Sequence, residues 1–159
     1  MSIDNLIYES VGAAMEVYNH LGPGLLESVY EKAMIYELKS RGLNVSSQLP
    51  VEIKYEDVII GSDLRLDIIV ENKLIIELKS VECLMPVHFK QIRTYMKLLN
   101  VPAGLLINFN VSDFKQGRLR NIHIAVPDER GAQAVEHRQD QCSNLEAVHI
   151  RIGTDNHFI

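Results

Sequence analysis

The sequence predicts a mixed α/β fold, in which one central sheet is flanked by helices. Three observations support this prediction. The chain has 159 residues, of which 47% are hydrophobic and 23% charged, as expected for one globular domain. The hydrophobic period is helical over residues 3–40 and strand-like over most of residues 45–79. The later segments alternate between the two periods, which gives the element order α-α-β-β-β-α-β-β.

Two helices are expected first. Residues 3–20 carry apolar side chains at helical spacing, and Gly22-Pro23-Gly24 interrupts the pattern. A second helix is expected from Pro23 or Gly24 to about Ser40. It ends there because Arg41-Gly42 provides a basic last turn followed by a glycine stop.

Strands with short turns are expected next. The predicted strands are 45–55, 58–60 continued by 64–70, 74–79, 101–109 and 118–126. The segment 74–79 is rich in Ile and Leu on both faces, which is typical of a central, fully buried strand. Between the third and fourth strands, Pro86 suits the first turn of a helix that ends near Leu99.

The composition changes after Pro127. We expect residues 1–126 to form the domain and residues 127–159 to form a polar, mobile C-terminal tail. No apolar run reaches the roughly 18 residues of a membrane helix, so no membrane association is expected. The first residues have no basic flank and no apolar signal core, which favours a cytoplasmic location. The oligomeric state is open.

The net charge of −5 by itself argues against a nucleic-acid partner, because phosphate binding normally requires excess Lys and Arg. The charge is distributed unevenly, however. Residues 1–78 carry 6 basic and 13 acidic side chains, a balance of −7, whereas residues 79–126 carry 7 and 2, a balance of +5. The acidic total therefore does not describe every surface of the domain.

Charged residues interrupt the most apolar of the predicted strands. Glu77 and Lys79 are two apart, so they point to the same face of their strand. Asp67 lies ten positions earlier, on the preceding strand. Burying such groups costs several kcal/mol unless they are paired or bind a metal. Two carboxylates and a lysine could bind Mg²⁺, activate a water and stabilise charge on a phosphate. A structural Glu–Lys ion pair is the alternative interpretation.

The length of the turn between Val70 and Leu74 tests this interpretation. A three-residue loop pairs residues whose numbers sum to 144, which places Asp67 opposite Glu77 on one face. A two-residue loop, Glu71-Asn72, gives a sum of 143 and turns Asp67 to the other face. The metal-site hypothesis therefore predicts an odd loop or a nearby bulge.

Two further groups could belong to the same site. Gln91 and Tyr95 are four apart on one face of the predicted helix, where they could orient water or phosphate. The alternative is a helix edge with a tyrosine half in the core. Glu27 flanks the apolar stripe of the second helix and could lean toward the sheet as a third ligand. The alternative is a first-turn glutamate that complements the helix dipole.

These motifs together resemble the GxxExxY protein family, which is similar to nucleases of the PD-(D/E)XK superfamily. The QxxxY feature is like that of RecB-like and lambda-exonuclease-like members. The residues that carry the resemblance are Gly24-x-x-Glu27-x-x-Tyr30, Asp67, Glu77-Leu78-Lys79, Gln91-x-x-x-Tyr95 and Gly104-Leu105-Leu106-Ile107-Asn108-Phe109. The residue before Asp67 is Leu66, where the superfamily name has proline.

The resemblance implies a restriction-endonuclease-like core and a metal-dependent nuclease that hydrolyses phosphodiester bonds. The cofactor would be Mg²⁺, with Mn²⁺ as an alternative, and DNA is favoured over RNA as the substrate. It implies metal ligation by Glu27, Asp67 and Glu77, and catalytic roles for Asp67, Glu77, Lys79, Gln91 and Tyr95. The expected nucleic-acid contacts are Tyr30, Arg65, Lys90, Arg93 and Lys97. A catalytically silent nucleic-acid-binding or protein-interaction module on the same fold is the alternative.

Overall fold

The computed structural model of the protein describes residues 1–112 and 122–125. The elements of this part follow the predicted order of helices and strands. They are α1 (Ile3–Leu21), α2 (Glu27–Ser40), β1 (Val45–Tyr55), β2 (Val58–Val70), β3 (Leu74–Lys79), α3 (Pro86–Leu99), β4 (Ala103–Asn108) and β5 (Ile122–Ala125). The predicted mixed α/β fold is confirmed.

The strands form one mixed sheet in the order β1-β2-β3-β4-β5. The pairs β1–β2, β2–β3 and β4–β5 are antiparallel, whereas β3–β4 is parallel. A parallel pair needs a crossover connection, and α3 provides it. β3 is the third of the five strands and therefore central, and its residues Leu74–Leu78 are all buried. The predicted central position of this strand is confirmed.

Helices cover both faces of the sheet. α1 and α2 pack against one face, where alternate β3 residues such as Leu74 and Ile76 join their core. α3 packs against the other face through Ile92, Tyr95 and Met96. Successive side chains of a strand point to opposite faces, so β3 contributes to both hydrophobic cores. This arrangement places polar side chains near the carboxyl end of β3 inside the protein.

The hairpin between β2 and β3 has the register that the metal-site hypothesis predicts. Val70 pairs with Leu74 across the three-residue turn 71–73, and the residue numbers of all three pairs sum to 144. Asp67 and Glu77 have the same sum, one position beyond the last pair. The register therefore brings the two residues opposite each other at the end of the ladder.

Some element boundaries differ from those predicted. α2 begins at Glu27 rather than near Pro23, because Gly24 has a φ of +94° and cannot belong to a right-handed helix. β2 runs without a break from Val58 to Val70, and β4 is shorter than expected, spanning Ala103–Asn108. The remainder of the predicted last strand and the predicted tail 127–159 lie outside the described residues.

Within the described residues, no helix has the length and apolar character needed to cross a membrane.

Candidate active site

The candidate site lies where the central strand β3 ends. Asp67 on β2 lies opposite Glu77 on β3, one position beyond the last ladder pair, and Glu77 and Lys79 share one face of β3. Glu77 is only 1% exposed, although its neighbours in the strand are apolar. A charged group is rarely buried at such a position unless it is paired or binds a cation, so this cluster is a site candidate.

The carboxylate of Asp67 takes the place of a strand partner. The ladder of paired residues between β2 and β3 ends one position before Asp67. At this point the backbone N–H of Leu78 donates to Oδ2 of Asp67 at 2.8 Å. The side chain thus satisfies a backbone donor that the sheet no longer pairs, and this hydrogen bond orients the Asp67 carboxylate beside β3.

Glu77 and Lys79 form a buried ion pair. Nζ of Lys79 donates to Oε1 of Glu77 at 2.6 Å, and the two side chains are 11% and 2% exposed, respectively. The second oxygen of Glu77, Oε2, is buried and has no hydrogen-bond partner. An unsatisfied buried carboxylate oxygen is costly, so Oε2 is available to a ligand that supplies positive charge.

Burial changes the proton affinity of all three groups. Burial and then the charge of Asp67 raise the pKa of Glu77 to about 7. Burial also raises the pKa of Asp67, against the hydrogen bond from Leu78 and the charge of Lys79. Burial opposes the charge of Lys79, but the hydrogen bond and charge of Glu77 outweigh it, and the pKa of Lys79 is raised. The charge of Asp67 therefore adds to burial in disfavouring the ionised form of Glu77.

Glu27 lies beside this cluster rather than inside it. It is the first residue of α2, its side chain is exposed, and its Oε1 accepts the backbone N–H of Ser80 at 3.1 Å. Its charge acts on Asp67, Glu77 and Lys79. In the part of the chain that the structure describes, no group of three or more His, Cys, Asp or Glu side chains could hold a metal ion. The site as folded thus offers two carboxylates, with Glu27 nearby.

A family model of the PD-(D/E)XK nuclease superfamily matches residues 4–121 of the chain, which include this whole cluster. The chain belongs to this superfamily. Membership suggests a nuclease-type function with a nucleic-acid substrate, and the superfamily's nucleases typically use divalent metal ions. No curated protein matches the chain significantly. No solved structure does so either.

The residues of this PD-(D/E)XK site fit a divalent metal ion. Mg²⁺ prefers oxygen ligands and is usually bound by one or two carboxylates together with waters and substrate phosphates. Asp67 and Glu77 supply two carboxylates, and the unpartnered Oε2 of Glu77 is a buried oxygen that a cation would satisfy. A dication would also relieve the repulsion between the two carboxylates.

Gln91 and Tyr95 support the strand that carries Asp67. Tyr95 is 2% exposed, and its hydroxyl donates to the backbone oxygen of Arg65 at 3.3 Å. Nε2 of Gln91 donates to that hydroxyl at 3.1 Å. The pair thus connects α3 to β2 two residues before Asp67, as the Gln-x-x-x-Tyr spacing allows. With Tyr95 buried, the structure favours a positioning role for this pair.

Tyr30 does not lie on the surface. It is fully buried, and its ring stacks on Phe109 with centroids 4.3 Å apart. Its hydroxyl donates to the backbone oxygen of Gly22 at 2.6 Å and accepts the N–H of Leu25 at 3.1 Å. The expectation that Tyr30 contacts nucleic acid is therefore wrong for this structure, because the side chain has no accessible surface.

The four basic candidates are exposed. Arg65 reaches back across the hairpin, where Nη1 donates to the backbone oxygen of Gln48 at 3.1 Å. Lys90, Arg93 and Lys97 are exposed on α3 at spacings of three and four residues, so they form one basic stripe. α3 begins shortly after β3 ends, which places Lys90 at the end of the stripe nearer the site.

Sequence reasoning assigned no role to three residues around the site. Ser80 directly follows β3 and bonds to the segment before α2 and to the first residue of that helix. Asn108 is 1% exposed and holds Val81 through hydrogen bonds of 3.1 and 2.7 Å. Burial and then the charge of Lys79 lower the pKa of His88. Ser80 follows the last residue of β3 and Asn108 is the last residue of β4, so a polar residue at the end of an apolar strand is the signal that could have found them.

Proposed function

We propose that the protein is a Mg²⁺-dependent nuclease that hydrolyses phosphodiester bonds, with DNA as the first substrate to test and RNA as the second. The observation that carries this proposal is the buried cluster of Asp67, Glu77 and Lys79 at the end of β3, in which one oxygen of Glu77 has no partner. A buried carboxylate oxygen without a partner costs stability, and a bound cation would offset this cost.

Asp67 and Glu77 would hold the metal ion, with Glu27 as a further acidic group beside it. The ion would supply Lewis-acid charge for the phosphate and favour ionisation of the attacking water. The ammonium group of Lys79 donates to Glu77 in the structure. It would donate to a phosphate oxygen of the substrate when that hydrogen bond is replaced, and its charge would stabilise the transition state. Gln91 and Tyr95 hold β2, and thereby Asp67, in place.

The motifs support a finer placement within the superfamily. The Gly24-x-x-Glu27-x-x-Tyr30 and Gln91-x-x-x-Tyr95 spacings are those of GxxExxY proteins and of RecB-like or lambda-exonuclease-like nucleases. Glu27 of the first motif accepts the backbone N–H of Ser80 after β3, and Tyr95 of the second donates to the backbone oxygen of Arg65 on β2. These contacts support the proposal that the chain belongs to this group.

A cleavage assay tests the proposed function. Single- and double-stranded DNA and RNA are each incubated with the protein in Mg²⁺, Mn²⁺ or EDTA. We expect metal-dependent cleavage of at least one substrate by the wild type. The rate should fall by roughly 10²-fold or more in Lys79→Ala and in Asp67→Asn, since each removes charge used in the transition state. Asp67→Asn keeps an oxygen that can accept the Leu78 N–H.

Lys39→Ala is the matched control for Lys79→Ala, because Lys39 is an exposed lysine at the end of α2. It should cleave at the wild-type rate. Absence of metal-dependent cleavage on all four substrates, or equal rates in wild type and Lys79→Ala, would contradict the proposal. Nucleic-acid binding without cleavage in Mg²⁺ or Mn²⁺, with equal affinities for wild type and Asp67→Asn, would instead support a catalytically silent binding module.

A further inference from the structure

We infer that Tyr30 and Ser80 are positioning residues that hold the Glu27 carboxylate beside the end of β3. This inference rests on the proposed function, since it assigns Tyr30 and Ser80 a purpose in the same metal site. The geometry behind it is a closed set of hydrogen bonds that joins the segment before α2, the start of α2 and the residue after β3.

The hydroxyl of Tyr30 forms the first part of this set. It donates to the backbone oxygen of Gly22 at 2.6 Å and accepts the N–H of Leu25 at 3.1 Å. Both partners belong to the turn 22–26, in which two glycines have positive φ. One buried hydroxyl therefore fixes a turn that has few contacts of its own, and this turn leads directly into Glu27.

Ser80 forms the second part. Its Oγ donates to the backbone oxygen of Leu25 at 2.6 Å, and its backbone N–H donates to Oε1 of Glu27 at 3.1 Å. Ser80 follows Lys79 in the chain, so these two bonds fasten the turn and Glu27 to the end of β3. An exposed glutamate side chain would otherwise sample several rotamers, and ordering it costs conformational entropy.

The ring of Tyr30 ties the same turn to the sheet. It stacks on Phe109, centroid to centroid at 4.3 Å, and the backbone N–H of Phe109 donates to the backbone oxygen of Lys79 at 2.8 Å. Tyr30 thus contacts the turn through its hydroxyl and the end of the central strands through its ring. Because the side chain is fully buried, both contacts are kept out of competition with water.

The spacing of the Gly24-x-x-Glu27-x-x-Tyr30 motif follows from this arrangement. Tyr30 lies three residues after Glu27, so both side chains occupy neighbouring positions on α2. The Glu27 side chain reaches the end of β3, and the Tyr30 side chain reaches back to the turn that precedes α2. The tyrosine of the motif therefore acts through Glu27 and the turn, and has no direct contact with substrate.

The test combines amide hydrogen exchange at Ser80 with Mg²⁺ binding followed by calorimetry. Tyr30→Phe keeps the ring stack and removes the hydroxyl, whereas Ser80→Ala removes only the bond to Leu25. We expect both to lose exchange protection of the residue 80 amide, as Glu27→Ala does, because alanine removes the acceptor oxygen. We expect both to weaken Mg²⁺ binding by about 10- to 100-fold. The Tyr30→Phe/Glu27→Ala double variant should bind no more weakly than Glu27→Ala alone.

Tyr18→Phe is the matched control. Tyr18 also donates a hydroxyl hydrogen bond to a backbone oxygen, that of Val111, but it lies on α1. The Tyr18→Phe variant should change neither the exchange protection of the Ser80 amide nor the affinity for Mg²⁺. Unchanged protection at residue 80 in Tyr30→Phe and Ser80→Ala, relative to Tyr18→Phe, overturns the inference. Lost protection with unchanged Mg²⁺ affinity also overturns it.

Failure of the proposed function gives a different result. The wild type would then bind no Mg²⁺ and cleave no nucleic acid, while the Ser80 amide would still lose protection in Tyr30→Phe and Ser80→Ala. That result would support the positioning of Glu27 by Tyr30 and Ser80, and it would contradict only the proposed Mg²⁺ site. If Tyr30→Phe fails to fold, Ser80→Ala supplies the same comparison.

Discussion

Glu77 is an acid whose surroundings disfavour its charge. It lies in the central strand among apolar residues, with Asp67 beside it, and one of its oxygens has no hydrogen-bond partner. The hydrogen bond and charge of Lys79 offset part of this cost, but the pKa of Glu77 is still raised to about 7. A strongly shifted pKa of this kind is typical of a functional site, and a bound cation would offset the cost of the buried charge.

The raised pKa of Glu77 predicts how the metal-free protein responds to pH. The folded state binds this proton more tightly than the unfolded chain, whose ordinary pKa is 4.5. The contribution to the free energy of unfolding is therefore fully present below pH 4.5 and lost as the pH rises through 7. It amounts to at most about 3 kcal/mol. Urea unfolding in EDTA from pH 4.5 to 8, for wild type and Glu77→Gln, measures it.

Glu77→Gln should lack this loss of stability, because a glutamine does not titrate. Parallel curves for the two proteins would contradict the prediction. The same urea unfolding series in Mg²⁺ instead of EDTA shows how metal binding depends on pH, because binding requires ionised carboxylates. The stabilisation of the wild type by Mg²⁺ should therefore grow between pH 6 and 8.

At the scale of the elements, the site depends on α3 lying close to the sheet. Gly104 on β4 faces this helix, and a Cβ added there would lie 2.7 Å from Sδ of Met96 and 2.9 Å from Cδ1 of Ile92. The absence of a side chain thus lets α3 approach the strand. The same helix carries Tyr95, whose hydroxyl reaches β2 near Asp67.

Gly104→Ala should push α3 away from β4 and destabilise the protein by about 1–3 kcal/mol, the usual cost of overpacking. Shortening Ile92 in Gly104→Ala/Ile92→Val should recover part of this loss, because it removes one of the two atoms in close contact. Gly61→Ala is the control, since an added Cβ meets nothing within 4 Å there. Urea unfolding measures all three variants, and equal stabilities for Gly104→Ala and Gly61→Ala would contradict the prediction.

The elements also show what the sequence could predict. Pairing parity predicted that a three-residue turn would place Asp67 opposite Glu77, and the turn 71–73 has this length. The proline and the apolar period predicted the bounds of α3 correctly. These are local rules, and they hold wherever tertiary contacts do not oppose them.

Long-range contacts account for what the sequence could not predict. Tyr30 was expected to contact nucleic acid, but its ring is buried against Phe109, which lies 79 positions later in the chain. Glu27 meets Ser80, 53 positions away, through a backbone N–H that carries no sequence signal. Periodicity places a residue on a face of its own element, but it does not identify the partner on another element.

The whole molecule divides its charge between an acidic and a basic part of the chain. Residues 1–78 have a balance of −7 and include all three candidate metal ligands, whereas residues 79–126 have a balance of +5. A cluster of carboxylates repels phosphate until a cation is bound, so attraction to nucleic acid has to come from another surface. Within the described residues, the exposed stripe of Lys90, Arg93 and Lys97 on α3 is suited to this role.

The salt dependence of DNA binding tests whether the α3 stripe contacts phosphates. Each contact releases counterions, so Lys90→Gln and Arg93→Gln should each weaken binding and reduce the slope of log Kd against log salt by about 1. Fluorescence anisotropy with labelled DNA in EDTA, where cleavage is prevented, measures this slope. Lys39→Gln removes an equal charge from α2 and should leave the slope unchanged. Equal slopes for wild type, Lys90→Gln and Arg93→Gln would mean that the nucleic acid does not follow α3, and that its attraction arises from another surface.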